Sequence, residues 1–214
     1  MATTYSPKIP TDSLVMYVDA ANPKSYPGSG TTWYDLTSNG HNISLGSTVE
    51  LDTYNDTSVL HFPEDANGYG RNTSMNLASS NYTVISFLRK LNANDGRTIT
   101  AYSNNWLLGS HDTTYGDYYA EGWIYNGAGT ADTNWRMYAG TGDISGDSFN
   151  LYINDSQIVN GSNGGSAGPN GWNLNNQYSQ YSNCEIANLI CYNRVLTDAE
   201  INRVYNTFKG RFGI

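Results

Sequence analysis

The chain has 214 residues, with 19 acidic against 11 basic side chains and a net charge of −8. Its field therefore repels phosphate backbones and anionic lipid, which argues against nucleic acid and anionic membranes as partners. Charged residues are only 14% and aromatics 13%, with 18 Tyr and 22 Gly. That composition is too rich in core-forming rings for disorder and gives a neutral, hydrogen-bonding surface suited to glycans or other proteins.

The length fits one large all-β domain better than two small ones. Residues 1–12 hold Pro7 and Pro10 without periodicity and read as an extended arm that could lie on a neighbouring subunit; the domain proper is expected over 13–214. The start, Met-Ala-Thr-Thr-Tyr-Ser-Pro, has neither a basic leader nor an apolar core, so no export signal is expected, and no apolar run is long enough to span a bilayer. Leu14 to Asp19 reads as a strand, followed by a loop through Pro23, Pro27, Gly28 and Gly30 to Trp33-Tyr34-Asp35-Leu36 and a turn at Asn39-Gly40. Further strands are expected at Thr57 to Phe62, Tyr82 to Arg89, Arg97 to Leu108, Asp117 to Asn126, Asn134 to Thr141 and Ser148 to Asn154. Tyr82 to Leu88 is apolar on both faces, as in a central strand. Asn154-Asp155 reads as a hairpin turn. Asn160 to Asn183, poor in aliphatics, reads as a long surface loop.

Cys184 and Cys191 are seven residues apart on what reads as one strand, which places them on opposite faces roughly 23 Å apart at about 3.3 Å per residue. That is beyond disulfide reach, so both are expected as buried thiols. The strand runs into the one convincing helix. Thr197 and Glu200 form a capping box, Ile201, Val204, Tyr205 and Phe208 make an apolar stripe, and Gly210 is expected to stop the helix. A single closing helix on an all-β chain suggests a β-sandwich with its open end covered.

Leu14 to Leu36, then Asn104-Asn-Trp-Leu-Leu-Gly109, then the closing strand and helix resemble the concanavalin A-like (laminin G-like) jelly-roll domains of tailed-bacteriophage structural proteins. The resemblance implies an all-β jelly-roll sandwich of two antiparallel sheets with one short C-terminal helix. It implies a protein of the virion surface, such as a capsid decoration or fibre subunit; with the arm over residues 1–12 and no catalytic motif, the expectation is a non-enzymatic protein docked through that arm on neighbouring virion protein, as a homo-oligomer on the particle. The alternative is a lectin-like receptor binder that captures host cell-surface polysaccharide. One fold hosts many functions.

Hydrolysis on such a fold would need paired carboxylates. Glu50-Leu-Asp52-Thr-Tyr54 has two acids at the spacing of the related laminarinase-type motif, but a tyrosine stands where the acid/base glutamate belongs. His41, His61 and His111 sit in no nucleophile motif, and no His pair or converging Cys pair has zinc-ligand spacing. Asp143-Ile-Ser-Gly-Asp147 and Asp52-Thr-Tyr-Asn-Asp56 put paired oxygens in loops without completing a calcium loop. They read as solvated turn acids, and no cofactor is expected, calcium being the one ion the pattern would admit. Six Asn-x-Ser/Thr triplets, at Asn42, Asn55, Asn72, Asn81, Asn154 and Asn160, read as by-products of composition.

A sugar site pairs an aromatic face with planar hydrogen-bonders. Two neighbourhoods have that content: Asp112, Tyr115 and Asp117 in a turn, and Trp172, Asn173, Asn175 and Tyr178 in the long loop. Trp172 is the leading candidate for the platform, whereas Trp33, Trp106, Trp123 and Trp135 stand in strand-like contexts and are expected in the core.

Overall fold

The computed structural model describes residues 8–93 and 96–214. Its strands form two layers. The first is a nine-stranded antiparallel sheet running Ser156–Ser162, Ser148–Ile153, Arg136–Asp143, Tyr82–Lys90 and then Cys184–Ile186 with its continuation Asn188–Tyr192. Thr57–Phe62 and Glu50–Tyr54 extend the sheet beyond Cys184–Ile186, and Leu14–Asp19 extends it beyond Asn188–Tyr192. The second layer is split. One sheet is Asn170–Leu174, Gly70–Asn76, Ile43–Leu45 and Thr32–Trp33; the other is Trp123–Tyr125, Thr114–Ala120, Trp106–His111 and Arg97–Thr100, with Gly129–Thr130 on Thr114–Ala120. Across the split the Thr100 hydroxyl donates to the Asn173 carbonyl and the Asn175 N–H to the Thr98 carbonyl, in place of a regular ladder. The expected all-β sandwich with one C-terminal helix is therefore present, with its second sheet in two pieces.

Between the layers lies the main core. Val84, Leu88, Leu60 and Phe62 come from the large sheet and Trp33, Trp106, Tyr118 and Trp172 from the smaller ones. Large rings fill such an interior because each removes a large apolar area from water.

The other face of the large sheet is also buried. Ile85, Phe87, Met137, Ala139, Ile190 and Tyr192 pack there against Ile201, Val204, Tyr205 and Phe208 of the helix Asp198–Phe208. The helix thus lies on the sheet's outer face rather than over an open end, which explains why Tyr82–Lys90 is apolar on both sides. Its capping box forms as expected, the Thr197 side chain accepting from Glu200 N–H while the Glu200 side chain accepts from Thr197 N–H. Gly210 does not stop it: the chain tightens through a 3₁₀ turn, Lys209–Arg211, and the left-handed residue is Gly213, φ 69°.

Several strands depart from expectation for local reasons. Arg97 to Leu108 reverses at Tyr102–Asn105, where the Asn104 amide donates to Gly168 and accepts from Asn170 N–H. Asp117 to Asn126 reverses at Glu121, which is left-handed at φ 57°. Asn170–Leu174, inside the expected loop, is a strand whose Trp172 and Leu174 point inward on the two-residue period.

The closing strand carries a bulge. Cys184 pairs with Lys90 and Ile186 with Leu88, but Ile190 pairs with Ile85, so one extra residue enters at Ala187–Asn188. The Asn188 side chain accepts the Phe87 N–H at 3.0 Å, filling the gap in the ladder. An extra residue inverts the alternation beyond it. Cys184 and Cys191 therefore share the inner face rather than opposite faces, both free and fully buried; burial pushes the Cys191 thiol well up.

Residues 8–12 of the expected arm belong to this domain. Pro10 is buried, Ile9 packs with the helix-side core, the Tyr192 hydroxyl donates to the Pro10 carbonyl at 3.0 Å, and Arg194 pairs with Asp12. Residues 1–7 lie outside the described residues.

Candidate functional site

The strand Gly70–Asn76 shapes the outer surface of the smaller sheet. Against Asn170–Leu174 it pairs Asn72 with Trp172 and Asn76 with Asn170, so it holds two more residues than its partner over that interval. The Asn72 side chain braces the excess by accepting the N–H groups of Ser74 and Met75. Bulges re-aim side chains, and here Thr73 and Ser74 are both exposed while Met75 returns to the core. Arg71 points outward, opposite Ser44 on the neighbouring strand.

These residues line an open cavity of about 450 Å³, with Gly40, Asn42 and Ser44 on one side and Tyr69, Arg71 and Asn72 to Ser74 on the other. Its loop wall is fixed. The Asp35 carboxylate accepts from the N–H groups of Tyr17, Thr37 and His41, its own N–H donates to the Asn42 amide, and the His41 ring meets the Ser74 hydroxyl at 3.0 Å.

Arg71 lies over the rings of Tyr69 and Tyr102, 4.7 and 5.4 Å from their centroids. Its Nε and Nη2 face the Asn173 amide oxygen at 3.4 Å each. Guanidinium–aromatic contacts fix the plane of the charge without neutralising it. None of the lining residues is acidic. Tyr102 is 43% exposed and offers a free aromatic surface beside the cation.

The residues expected at the site are dispersed. Trp172 is fully buried in the strand Asn170–Leu174, edge-on to Trp106 at 5.7 Å, and has no face to offer a ligand. Asn175 is also fully buried, at φ 59°, its amide donating to the carbonyls of Pro63 and Gly68 and accepting from Ser182 N–H, so it is a structural clamp. Asn173 does reach the cavity region through Arg71, and its amide N–H donates to the Asn176 carbonyl. Tyr178 is 65% exposed but stands at a separate cluster, its ring 5.2 Å from the Arg97 guanidinium. That cation is occupied by the amide oxygens of Gln180, Asn105 and Gln177, and so pins the 177–180 turn to the sheet.

In the other neighbourhood, Asp112 is the left-handed residue of the turn joining Trp106–His111 to Thr114–Ala120, and its carbonyl accepts from Lys90. Tyr115 is part of the core edge beneath the Arg136 guanidinium, 3.8 Å from its ring centroid. Asp117 is buried, one oxygen accepting from His111 N–H and the Thr114 hydroxyl, and burial pushes its carboxyl up to about 6. These three hold a turn rather than face a ligand. Trp123, expected in the core, is instead 41% exposed, edge-on to Tyr119.

Glu50 and Asp52 lie on the strand Glu50–Tyr54 at the large sheet's border, with Glu50 bonded to His61. Asp143 accepts from the Ser145 hydroxyl and Gly146 N–H of its own turn. Among the described residues no three His, Cys, Asp or Glu side chains converge as metal ligands. The cavity residues missed in the sequence had one legible signal: Tyr69, Arg71 and Thr73 stand two apart, the spacing of one strand face, in a stretch where no strand was expected.

No protein-family model matches the chain, and no curated protein sequence does. Solved structures do. The binding domain of Paraclostridial Mosquitocidal Protein 1 is similar at TM-score 0.66 and 16% identity over 92% of this chain and 52% of that one. The Botulinum neurotoxin serotype D ligand binding domain, in complex with N-acetylneuraminic acid, is similar at TM-score 0.63 and 14% identity over 91% and 50%. Domain 4 of AbnA, a GH43 extracellular arabinanase from Geobacillus stearothermophilus, in complex with arabinotriose, is similar at TM-score 0.65 and 14% identity over 90% and 98%. The chain spans about half the length of the two toxin domains and nearly all of the arabinanase domain. At these identities the likeness establishes a shared β-sandwich fold.

Proposed function

We propose that this chain is a non-catalytic carbohydrate-binding module that takes a saccharide in the Arg71 cavity. The observation that carries the reading is the cavity itself: about 450 Å³, open, lined by hydroxyl and amide side chains with Tyr69 and Arg71 in its wall, and with the half-exposed Tyr102 ring next to Arg71. Sugar hydroxyls need donors and acceptors in a shallow site, and their C–H faces pack on aromatic rings. Structurally similar domains, those of the arabinanase and of neurotoxin serotype D, were solved with sugars bound, which supports the reading.

A second reading places the chain on a tailed-phage virion, as a capsid decoration or fibre subunit docked on other virion protein and assembled in several copies. It rests on the resemblance of Leu14 to Leu36 and Asn104 to Gly109 to such proteins. The two are compatible, since a virion protein that adsorbs to host polysaccharide would use such a cavity for attachment.

The test is an array of bacterial surface polysaccharides probed with the wild type and with Tyr102→Ala. Retained binding to at least one saccharide, weakened about tenfold or more in the variant, the order expected for losing one stacking contact, supports the module. A blank array with folded protein would shift the function to the structural role.

A further inference from the structure

We infer that the saccharide taken in this cavity is acidic, with a carboxylate seated on the free edge of the Arg71 guanidinium. The inference rests on the carbohydrate-binding reading and adds the chemical class of the ligand. Of the seven arginines, Arg89, Arg136, Arg194 and Arg211 each pair with a carboxylate of this chain. Arg97 is occupied by three amide oxygens, and Arg203 is exposed on the helix. Arg71 differs from all of them. It is half-buried beside a cavity, held by two aromatic rings, and meets only the neutral oxygen of Asn173 at Nε and Nη2. Among the described residues no partner occupies Nη1, and no carboxylate pairs with this cation, although the chain carries a net charge of −8.

A guanidinium whose plane is fixed and whose Nη1/Nη2 edge is open is the geometry that binds a carboxylate through two parallel hydrogen bonds. Ser44, Thr73 and Ser74 add hydroxyls along the cavity for the rest of the sugar. The lining holds one cation, which matches a carboxylate's single charge rather than the charge of about −1.5 to −2 on a phosphomonoester. The ligand class is therefore a uronic or nonulosonic acid residue.

The experiment uses matched probes by titration calorimetry: trigalacturonic acid against its methyl ester, and sialyllactose against lactose, with a sugar phosphate as a third arm. Each is measured on the wild type, Arg71→Gln and Arg71→Lys, with melting curves as the fold control. The inference expects the carboxylated member of at least one pair to bind about tenfold tighter or more. That preference should shrink between about 50 and 500 mM NaCl, vanish in Arg71→Gln at unchanged melting temperature, and return only in part in Arg71→Lys, which lacks the two-pronged edge. Equal binding of acidic and neutral members overturns the inference and leaves the module standing. Acid preference that survives Arg71→Gln, or stronger binding of the phosphate, overturns the seat. No binding by any probe or by the polysaccharide array overturns inference and module together.

Discussion

The hydroxyls of Tyr82 and Tyr118 lie 2.6 Å apart in the middle of the sandwich. Trp106 Nε1–H donates to Tyr82 at 3.0 Å, and the Tyr118 hydroxyl donates to the Thr141 carbonyl at 3.1 Å. The indole N–H, the two hydroxyls and the Thr141 carbonyl thus form one connected chain, and the Tyr82 hydroxyl has a further acceptor at 3.4 Å in the Ala167 carbonyl. Polar groups in a dry interior are stable when every member is satisfied.

Breaking this chain at its first hydroxyl should therefore cost more than the lost bond. Tyr82→Phe leaves the Trp106 N–H without an acceptor, and unfolding in urea should show a loss of roughly 1–3 kcal/mol. Tyr118→Phe should cost a similar amount through the loss of its bonds to the Tyr82 hydroxyl and the Thr141 carbonyl. The double variant should lose less than the sum, because both substitutions act on one network. Strict additivity would mean that the hydroxyls act independently.

Asp117 should make stability fall as pH rises. Burial holds its carboxyl at about 6 in the folded state, above about 3.9 in the unfolded chain. The folded state thus keeps its proton longer, and the associated stability, present in full below pH 4, is lost as pH climbs toward 6. Glu200 and Asp132, which Arg194 and Arg136 hold down to about 2, act in the opposite sense at lower pH. Comparing the wild type with Asp117→Asn separates the two effects. The variant keeps an oxygen for His111 N–H and Thr114, and should gain on the wild type by roughly 2 kcal/mol between pH 4 and 7. A constant difference across that range would show that Asp117 titrates normally.

Phe208→Ala should destabilise by about 3–5 kcal/mol, as expected for removing a buried ring. Phe208 is 2% exposed and packs against Phe87 at 5.5 Å and Tyr17 at 6.4 Å. A loss under about half a kilocalorie, the level of surface substitutions, would place the helix away from the sheet in solution.

Deleting residues 1–12 should lower stability by roughly 2 kcal/mol through the lost burial of Ile9 and Pro10 and the stranded Tyr192 hydroxyl. Melting curves of the truncated chain give the answer. An unchanged midpoint would mean that the contacts of Pro10 with Tyr192 contribute nothing in solution.

The sequence showed what depends on near neighbours. The bounds of Leu14–Asp19 and Thr57–Phe62, and the Thr197–Glu200 cap, follow from periodicity and from a motif four residues long. It hid what depends on distant ones. Trp172 lies amid glycine and asparagine, so its strand has no apolar run, and only the facing Trp106 reveals it as core. The face inversion of Cys191 turns on one extra residue whose ladder gap is filled by Asn188, a residue with no local motif. Arg71 meets Ser44, Tyr102 and Asn173 only once three separate strands and a turn are brought together.

Both described ends of the chain, Ile9 near the first and Ile214 at the last, pack on the helix-covered side of the large sheet, whereas Arg71 and Thr73 open from the far side of the other layer. The domain is thus polarised like a suction cup on its handle. Fixing it to a sensor chip by a tag after Ile214 would leave the cavity turned toward solution, and copies tethered side by side by that end would present their cavities in parallel, letting many weak grips on a polymeric sugar add into one strong hold.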